Sequence, residues 1–325
     1  MTKSAAAPLL SQRHRRAILI SMMSAATAYL FAVIYAGYEQ AWQAFKHIGV
    51  TGWLLLLSCS FSNYVLRFYR WQRYISHTGY TIPHRLHLLY YLAGFALTTT
   101  PGKAGETIRS LLLRPHGVRY PLSLAAFFVE RFLDVIVICL LATLTVFAFA
   151  DYTYFVVITS IIIVALLPLI RSQMFMRLLT QCSQWITSPR LQQLFKHLID
   201  LFQTAQTFLS WRLINMGTLI GIMAWSIQGL AFYFIVSTLG LEIGLPVAMG
   251  IYAISLLAGA VSFIPGGVGT TEVVMGLLLA AVGADTTTAI SAPLISRLST
   301  LWFAVILGLL SSSWLSVHRP TAPQT

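Results

Sequence analysis

Apolar runs long enough to cross a lipid bilayer recur along the whole sequence. Of its 325 residues, 57% are hydrophobic and only 9% are charged, whereas about 25% of the residues of a soluble globular protein are charged. About 20 consecutive apolar residues span a bilayer as a helix. We therefore predict an all-α protein, a polytopic transmembrane helical bundle. This composition excludes a soluble enzyme, a nucleic-acid-binding module and a disordered protein.

The charge balance is strongly positive, with 21 Lys and Arg residues against nine acids and a net charge of +12. The basic residues cluster between apolar runs, which is typical of cytoplasmic loops. We expect a multi-pass protein of the cell inner (cytoplasmic) membrane, with both termini and the segment 171–212 in the cytoplasm, and no nucleic acid partner. The three cysteines lie far apart, so neither a disulfide framework nor a zinc site is indicated. We expect no metal and no cofactor.

Continuous apolar runs predict the transmembrane helices of a single membrane domain, 1–325. These helices are expected at about 17–37, 49–66, 121–150, 154–170, 213–239 and 288–315. The second of them leads into a basic and aromatic stretch, 67–74, which suits the cytoplasmic interface. Within 171–212, apolar residues recur at helical spacing in a basic segment, which predicts an amphipathic helix on the cytoplasmic surface.

Two further apolar segments are interrupted by proline and glycine. The first has arms at 86–100 and 107–113, and the second at 245–264 and 271–282. The arms of the first segment are shorter than the roughly 17 residues that a spanning helix needs. We therefore predict two broken re-entrant hairpins. Their turn residues are Pro101, Gly102 and Gly105 in the first and Pro265, Gly266, Gly267 and Gly269 in the second.

The two broken segments predict an internal repeat. Glu106 and Arg131 are 25 positions apart, and so are Glu272 and Arg297. Because an unpaired buried charge is costly, we expect the two residues of each pair to approach each other inside the protein. Three predicted crossings separate the hairpins, so the second enters from the opposite face. The halves 17–151 and 153–316 are then inverted repeats, an arrangement of many transporters whose sites form where discontinuous helices meet.

Charged side chains in these membrane segments are the candidates for a substrate-binding site. They are Lys103, Glu106, Arg109, Glu130, Arg131, Asp134, Glu272 and Arg297. Each costs about 2.5–3.5 kcal/mol to insert, so it usually faces a cavity or a partner. One interpretation is a set of ion pairs that lock the hairpins to the helices. The other is a polar pathway in which arginines and glycine-rich turns recognise an anionic headgroup.

Three motifs resemble those of the lysylphosphatidylglycerol synthase transmembrane family, also called the UPF0104 or flippase-like family. They are Pro101-Gly-x-x-Gly-Glu106-x-x-Arg109, Val129-Glu-Arg131-x-x-Asp134 and Pro265-Gly-Gly-x-Gly269-x-x-Glu272. The resemblance covers nearly the whole chain and implies a bacterial or archaeal membrane protein linked to lipid translocation. In some relatives the same unit is joined to a soluble aminoacyl-lipid synthase domain. We expect no enzymatic activity here, because no catalytic constellation stands out.

The function we expect is therefore that of a flippase-like lipid transporter for an anionic phospholipid or a polyprenyl-phosphate-linked lipid. Lys103, Arg109 and Arg131 are the cations expected to recognise the anionic group. Two alternatives stay open: a membrane-embedded transferase acting on a lipid carrier, and a non-catalytic partner of a lipid-modifying enzyme. The sequence leaves the lipid and the oligomeric state open.

Overall fold

A computed structural model describes residues 38–100, 105–150, 153–185 and 188–318, and this part of the chain is helical, without strands. Its helices are α1 Tyr38–His77, α2 His84–Ala93, α3 Ile108–Leu112, α4 Tyr120–Ala142, α5 Thr153–Arg171, α6 Gln173–Gln184, α7 Pro189–Gln206, α8 Trp211–Thr238, α9 Leu245–Val261, α10 Thr270–Ala281, α11 Thr286–Arg297 and α12 Phe303–Val317. A π-helical turn, Leu298–Trp302, joins α11 to α12. The predicted helix at 17–37 lies outside the described residues.

Three helices among the described residues are long and apolar enough to cross a membrane. They are Trp42–His77, Trp211–Thr238 and Thr286–Val317. The prediction of an all-helical membrane protein is therefore confirmed. The segment 171–212 forms two amphipathic helices, α6 and α7, rather than one.

The first of these spanning helices corrects the sequence prediction for residues 67–74. The helix was expected to end near residue 66 and to be followed by an interfacial belt, but α1 continues to His77. Arg67 and Arg70 are only 4% and 0% exposed, so they do not lie in an interfacial belt. Their guanidinium groups meet carboxylates of α4 inside the bundle. Charged side chains are tolerated inside a spanning helix when they face a partner. The helix α1 can therefore continue past Arg67 and Arg70 as far as His77.

Both interrupted segments consist of short helices. The first comprises α2, a 3₁₀ turn at Gly94–Leu97, and α3. Its predicted turn residues Pro101 and Gly102 and the predicted site residue Lys103 lie outside the described residues. The second comprises α9, a 3₁₀ turn at Pro265–Gly267, and α10, and the two helices pack against each other.

The turn of the second segment requires glycine. Gly266, Gly267 and Gly269 have φ angles of 66°, 64° and 89°, in the left-handed region that residues with a side chain rarely adopt. This geometry agrees with their predicted role as turn residues. The glycine turn allows α10 to begin next to the end of α9. The turn between these two helices then lies against the long helices.

The spanning helix formed by α11 and α12 begins at a capped N-terminus. The Asp285 carboxylate accepts hydrogen bonds from the amides of Thr287 and Thr288 at 3.2 and 3.3 Å. Hydrogen bonding by Thr288 holds the pKa of Asp285 below its ordinary value. This cap satisfies orphan amides of the first turn and defines where the last long helix starts.

Candidate functional site

Two buried carboxylates on α4 form the centre of a charged cluster. Glu130 and Asp134 are four residues apart, so they lie on one face of the helix, and both are buried. α4 presents this face to α1 and α8, on which it packs. Buried carboxylates need cations or hydrogen-bond donors to stay charged.

Four arginines supply those cations. Arg70 donates to Asp134 Oδ1 at 2.7 Å, and Arg109 donates to Glu130 Oε2. Arg131 lies 2.9 Å from Glu130 and 3.1 Å from Asp134. The Nη2 atom of Arg67 is farther away, at 3.9 Å from Glu130 Oε1 and 3.8 Å from Asp134 Oδ2. Four cations around two carboxylates leave a surplus of positive charge in this cluster.

Aromatic side chains complete the cluster. The guanidinium carbon of Arg109 lies 3.8 Å from the centre of the Trp71 ring, which favours a cation–π contact. The Tyr91 hydroxyl donates to Glu130 at 3.0 Å, and Trp225 Nε1 donates to Asp134 at 3.1 Å. These donors fix the orientation of both carboxylates.

A cavity of about 260 Å³ adjoins the cluster and lies between the two interrupted segments. Thr98 and Glu106 line it from the first segment, and Gly266 and Thr271 from the second. The two breaks that the sequence placed about 160 residues apart therefore meet at one site. The charged residues of its wall are Arg67, Glu106, Arg131, Asp134 and Arg297.

The predicted pair of Glu272 and Arg297 is confirmed. Arg297 Nε donates to Glu272 Oε1 at 3.0 Å, and another nitrogen of Arg297 donates to the carbonyl of Gly266. The amide of Gly269 donates to Glu272 Oε2 at 2.8 Å. The pair thus ties the glycine turn to the end of α11.

In the first half of the chain, Arg131 has two carboxylate partners on its own helix besides the nearby Glu106. Arg131 pairs with Glu130 and Asp134, while Glu106 accepts a hydrogen bond from Thr98 at 2.8 Å. Glu106 and Arg131 line the same cavity. The ion pairs of Arg131 at 2.9 and 3.1 Å are thus formed within α4, with Glu130 and Asp134.

The predicted site residues divide into three groups. Glu106, Arg131, Asp134, Arg297, Gly266 and Gly267 line the cavity. Arg109, Glu130, Glu272, Gly105, Pro265 and Gly269 are not among its lining residues. Lys103, Pro101 and Gly102 lie outside the described residues. Arg109, which we expected to contact the anion, lies instead between Glu130 and the Trp71 ring.

Sequence reasoning missed Arg67 and Arg70. A signal was present, because Ser60, Asn63, Arg67 and Arg70 recur every three or four residues on α1, the spacing of one helix face. All four are buried. A polar stripe of this kind inside a spanning segment indicates a face directed at other helices rather than at lipid.

The Glu272–Arg297 pair should show strong coupling in a double-mutant cycle. We expect Glu272→Gln and Arg297→Gln each to destabilise the protein and the double variant to lose less than the sum, with a coupling energy of about 0.5–3 kcal/mol. Thermal unfolding in detergent measures it. Glu242→Gln, at an exposed acid, should be additive with Arg297→Gln. Additivity within the Glu272–Arg297 cycle would contradict the pair.

A comparison with models of protein families found a match over most of the chain. A family model described as the lysylphosphatidylglycerol synthase TM region matches residues 17–308. The UPF0104 membrane protein of Methanothermobacter thermautotrophicus is 24% identical in an alignment over 225 residues that covers 65% of this chain and 67% of that protein. A UPF0104 membrane protein of Pyrococcus horikoshii is 33% identical over 97 residues, 30% of this chain.

A named enzyme is also similar to part of the chain. Phosphatidylglycerol lysyltransferase of Staphylococcus xylosus is 29% identical over 97 residues, 30% of this chain and 12% of the enzyme. The matched part of the Pyrococcus protein is likewise 29% of its length. These two similarities therefore concern a part of each relative.

Proposed function

Because the chain belongs to the lysylphosphatidylglycerol synthase TM family of UPF0104 membrane proteins, we propose that it transports lipid as a flippase. Its substrate in this proposal is an anionic phospholipid or a polyprenyl-phosphate-linked lipid, which it moves across the cytoplasmic membrane. The basic segment 171–212 and both termini are proposed to lie in the cytoplasm.

The observation that carries this proposal is the arginine-lined cavity between the two interrupted segments. Among the described residues, three arginines and two acids line its wall, so this part of the wall has an excess of one positive charge. Such a wall favours an anion over a cation. Arginine can also grip a phosphate through two parallel hydrogen bonds.

The surroundings of the cavity support a lipid rather than a soluble anion. α9 and α10 are short apolar helices, and their junction places backbone of a non-helical turn beside the cavity. In membrane proteins irregular backbone is tolerated where it is buried in protein or lines a wet cavity. Broken helices around a polar cavity are typical of transporters.

The proposal is tested by reconstituting the purified protein alone into vesicles. We expect fluorescent phosphatidylglycerol to exchange between leaflets faster than in protein-free vesicles, and Arg131→Gln to slow that exchange at least tenfold, since a charge-assisted hydrogen bond contributes about 1.5–3 kcal/mol. Exposed Arg73→Gln is the matched control. Dithionite quenching measures the exchange. Exchange no faster than in protein-free vesicles would contradict the proposal.

The similarity to part of a phosphatidylglycerol lysyltransferase favours a second candidate function. In this alternative the chain is a non-catalytic partner that presents lipid to a lipid-modifying enzyme. The same vesicles separate the two functions, because a partner subunit binds anionic lipid without moving it when it is alone.

A further inference from the structure

We infer that Arg67 is the primary ligand-binding residue of the cavity and that it holds a phosphate group. This inference rests on the proposed function and deepens it, because it names the side chain that grips the anionic group. Neither the sequence motifs nor the predicted site residues include Arg67. Its position on α1 distinguishes it from the cations near the two breaks.

Two nitrogen atoms of Arg67 have no hydrogen-bond partner among the described residues, against one each in the neighbouring Arg70 and Arg131. Its Nε and Nη2 atoms are buried and form no hydrogen bond with any described residue. The nearest carboxylate oxygens are 3.8 and 3.9 Å from Nη2, too far for a hydrogen bond. Arg131 and Arg297, by contrast, have carboxylate partners at 2.9 and 3.0 Å. Among the described residues that line the cavity, Arg67 is thus the cation with the most unpartnered nitrogen atoms, since Arg131 has only its Nε atom in that state.

The helix that carries Arg67 is held firmly in place. Asn63 donates to the carbonyl of Ala224 at 2.7 Å, and the Tyr64 hydroxyl donates to the carbonyl of Thr300 at 2.6 Å. These bonds tie α1 to α8 and to the π-helical turn on either side of the cavity. A residue one helical turn further along, Arg67, is therefore presented to the cavity by a rigid backbone.

Two aromatic rings flank the guanidinium group. Its carbon lies 5.5 Å from the centre of the Trp225 ring and 5.9 Å from that of Phe95. Cation–π contacts at these distances stabilise a cation without using its N–H donors. The planar fork of Arg67 is therefore stabilised in place while its donors remain free for a bidentate ligand such as phosphate.

The volume of the cavity limits the size of the ligand that it can enclose. Its volume of about 260 Å³ is slightly below the roughly 300–1,000 Å³ of sites that enclose a drug-sized molecule. A phosphate with a small substituent fits this space, whereas acyl chains stay outside. The ligand is therefore a phosphate-bearing headgroup or a free phosphate, which share the chemistry that Arg67 recognises.

A binding experiment tests Arg67 directly. The full-length protein in detergent is titrated with dioctanoyl phosphatidate, with dioctanoylglycerol as the phosphate-free lipid and with inorganic phosphate as the lipid-free anion. We expect Arg67→Gln to bind the phosphatidate about 10- to 100-fold more weakly than the parent, as loss of a charge-assisted hydrogen bond predicts. Arg67→Lys keeps the charge but loses the fork, so its affinity should be intermediate. Arg73→Gln, on the same helix but exposed, should bind as the parent does.

The two anion sources are separated by competition. If inorganic phosphate displaces the phosphatidate from the parent but not from Arg67→Gln, the residue recognises phosphate itself. If only the phosphatidate binds, and Arg67→Gln weakens it, the residue recognises the headgroup of a lipid. Both results support the inference.

A stability readout distinguishes a ligand-binding arginine from a structural one. Without ligand, the carboxylate oxygens nearest to Arg67 lie 3.8 and 3.9 Å from its Nη2 atom, and the cluster holds more cations than carboxylates, so Arg67→Gln should change the melting temperature little. Arg70→Gln removes the 2.7 Å partner of Asp134 and should lower it clearly. Equal losses from Arg67→Gln and Arg70→Gln would overturn the inference.

Different experimental results would contradict the inference about Arg67 and the proposed transport function. Unchanged phosphatidate affinity in Arg67→Gln, together with loss in Arg131→Gln, would overturn the role of Arg67 and leave the transporter proposal standing. A parent protein that binds no phosphate probe and moves no lipid would contradict both.

Discussion

Replacement of Glu130 by glutamine is expected to destabilise the protein by about 3–5 kcal/mol, the usual cost of removing one partner from a buried ion pair. The side chain keeps its shape and loses its charge. Glu130 has Arg67, Arg70, Arg109 and Arg131 within 4.0 Å. Its substitution leaves Arg109 without a carboxylate partner among the described residues, and Asp134 alone then faces the other three arginines. Thermal and chemical unfolding in detergent measure the loss.

A matched control separates this effect from the effect of removing any one carboxylate from the protein. Glu242 is exposed, and Glu242→Gln should change stability by no more than about 0.5 kcal/mol. Combining Glu130→Gln with Arg109→Gln should restore part of the stability, because the second change removes one of the uncompensated cations. If Glu130→Gln melts like Glu242→Gln, the charged cluster does not hold the helices together.

The sequence predicted the membrane-embedded charges because charge inside an apolar run is rare and costly. The equal spacing of 25 residues also identified the pair of Glu272 and Arg297, which the structure confirms. The same spacing placed Glu106 near Arg131; the two residues line one cavity, and Glu130 and Asp134 are carboxylates at ion-pair distance from Arg131. A repeat in the sequence thus locates a turn and an arginine, while the carboxylate that reaches the arginine depends on packing.

The arginines of α1 could not be assigned from local sequence. Arg67 and Arg70 stand among tyrosines and tryptophans, a composition that suits a membrane interface equally well. What places them inside is the contact of α1 with α4, which brings Asp134 to Arg70 across 64 positions of the chain. Local composition carries no information on such a distant partner. Only the helical periodicity of the polar residues hinted at it.

The cavity also depends on close contacts between helices. In the sequence, glycines are the one sign of these contacts. Gly308 of α12 packs against the 3₁₀ turn at Gly94–Leu97, which precedes Thr98 on the cavity wall. A Cβ atom at 308 would lie 2.6 Å from the carbonyl carbon of Phe95 and closer still to the amide nitrogen of Ala96. Small residues at such contacts let helix backbones approach in membranes.

Substitution of Gly308 by valine should therefore cost about 3 kcal/mol, the upper end for overpacking of a tight core. The clashing atoms belong to backbone, so no side-chain rotation can relieve the overlap, and α12 must move away from the turn. We expect a lower melting temperature in detergent and a weaker affinity for dioctanoyl phosphatidate, since the turn leads directly to Thr98, which donates to Glu106.

The control for Gly308 is a glycine in open surroundings. A Cβ atom at Gly244 would meet its nearest neighbour at 3.6 Å, an ordinary contact, so Gly244→Ala should leave both readouts close to those of the parent. Gly308→Ala should fall between the parent and Gly308→Val, because the methyl group already overlaps the turn while alanine favours the helix by up to about 1 kcal/mol. A Gly308→Val protein with the melting temperature and lipid affinity of the parent would show that the 3₁₀ turn can move away from α12 without loss of stability. The position of the cavity wall would then not depend on the contact between α12 and the 3₁₀ turn.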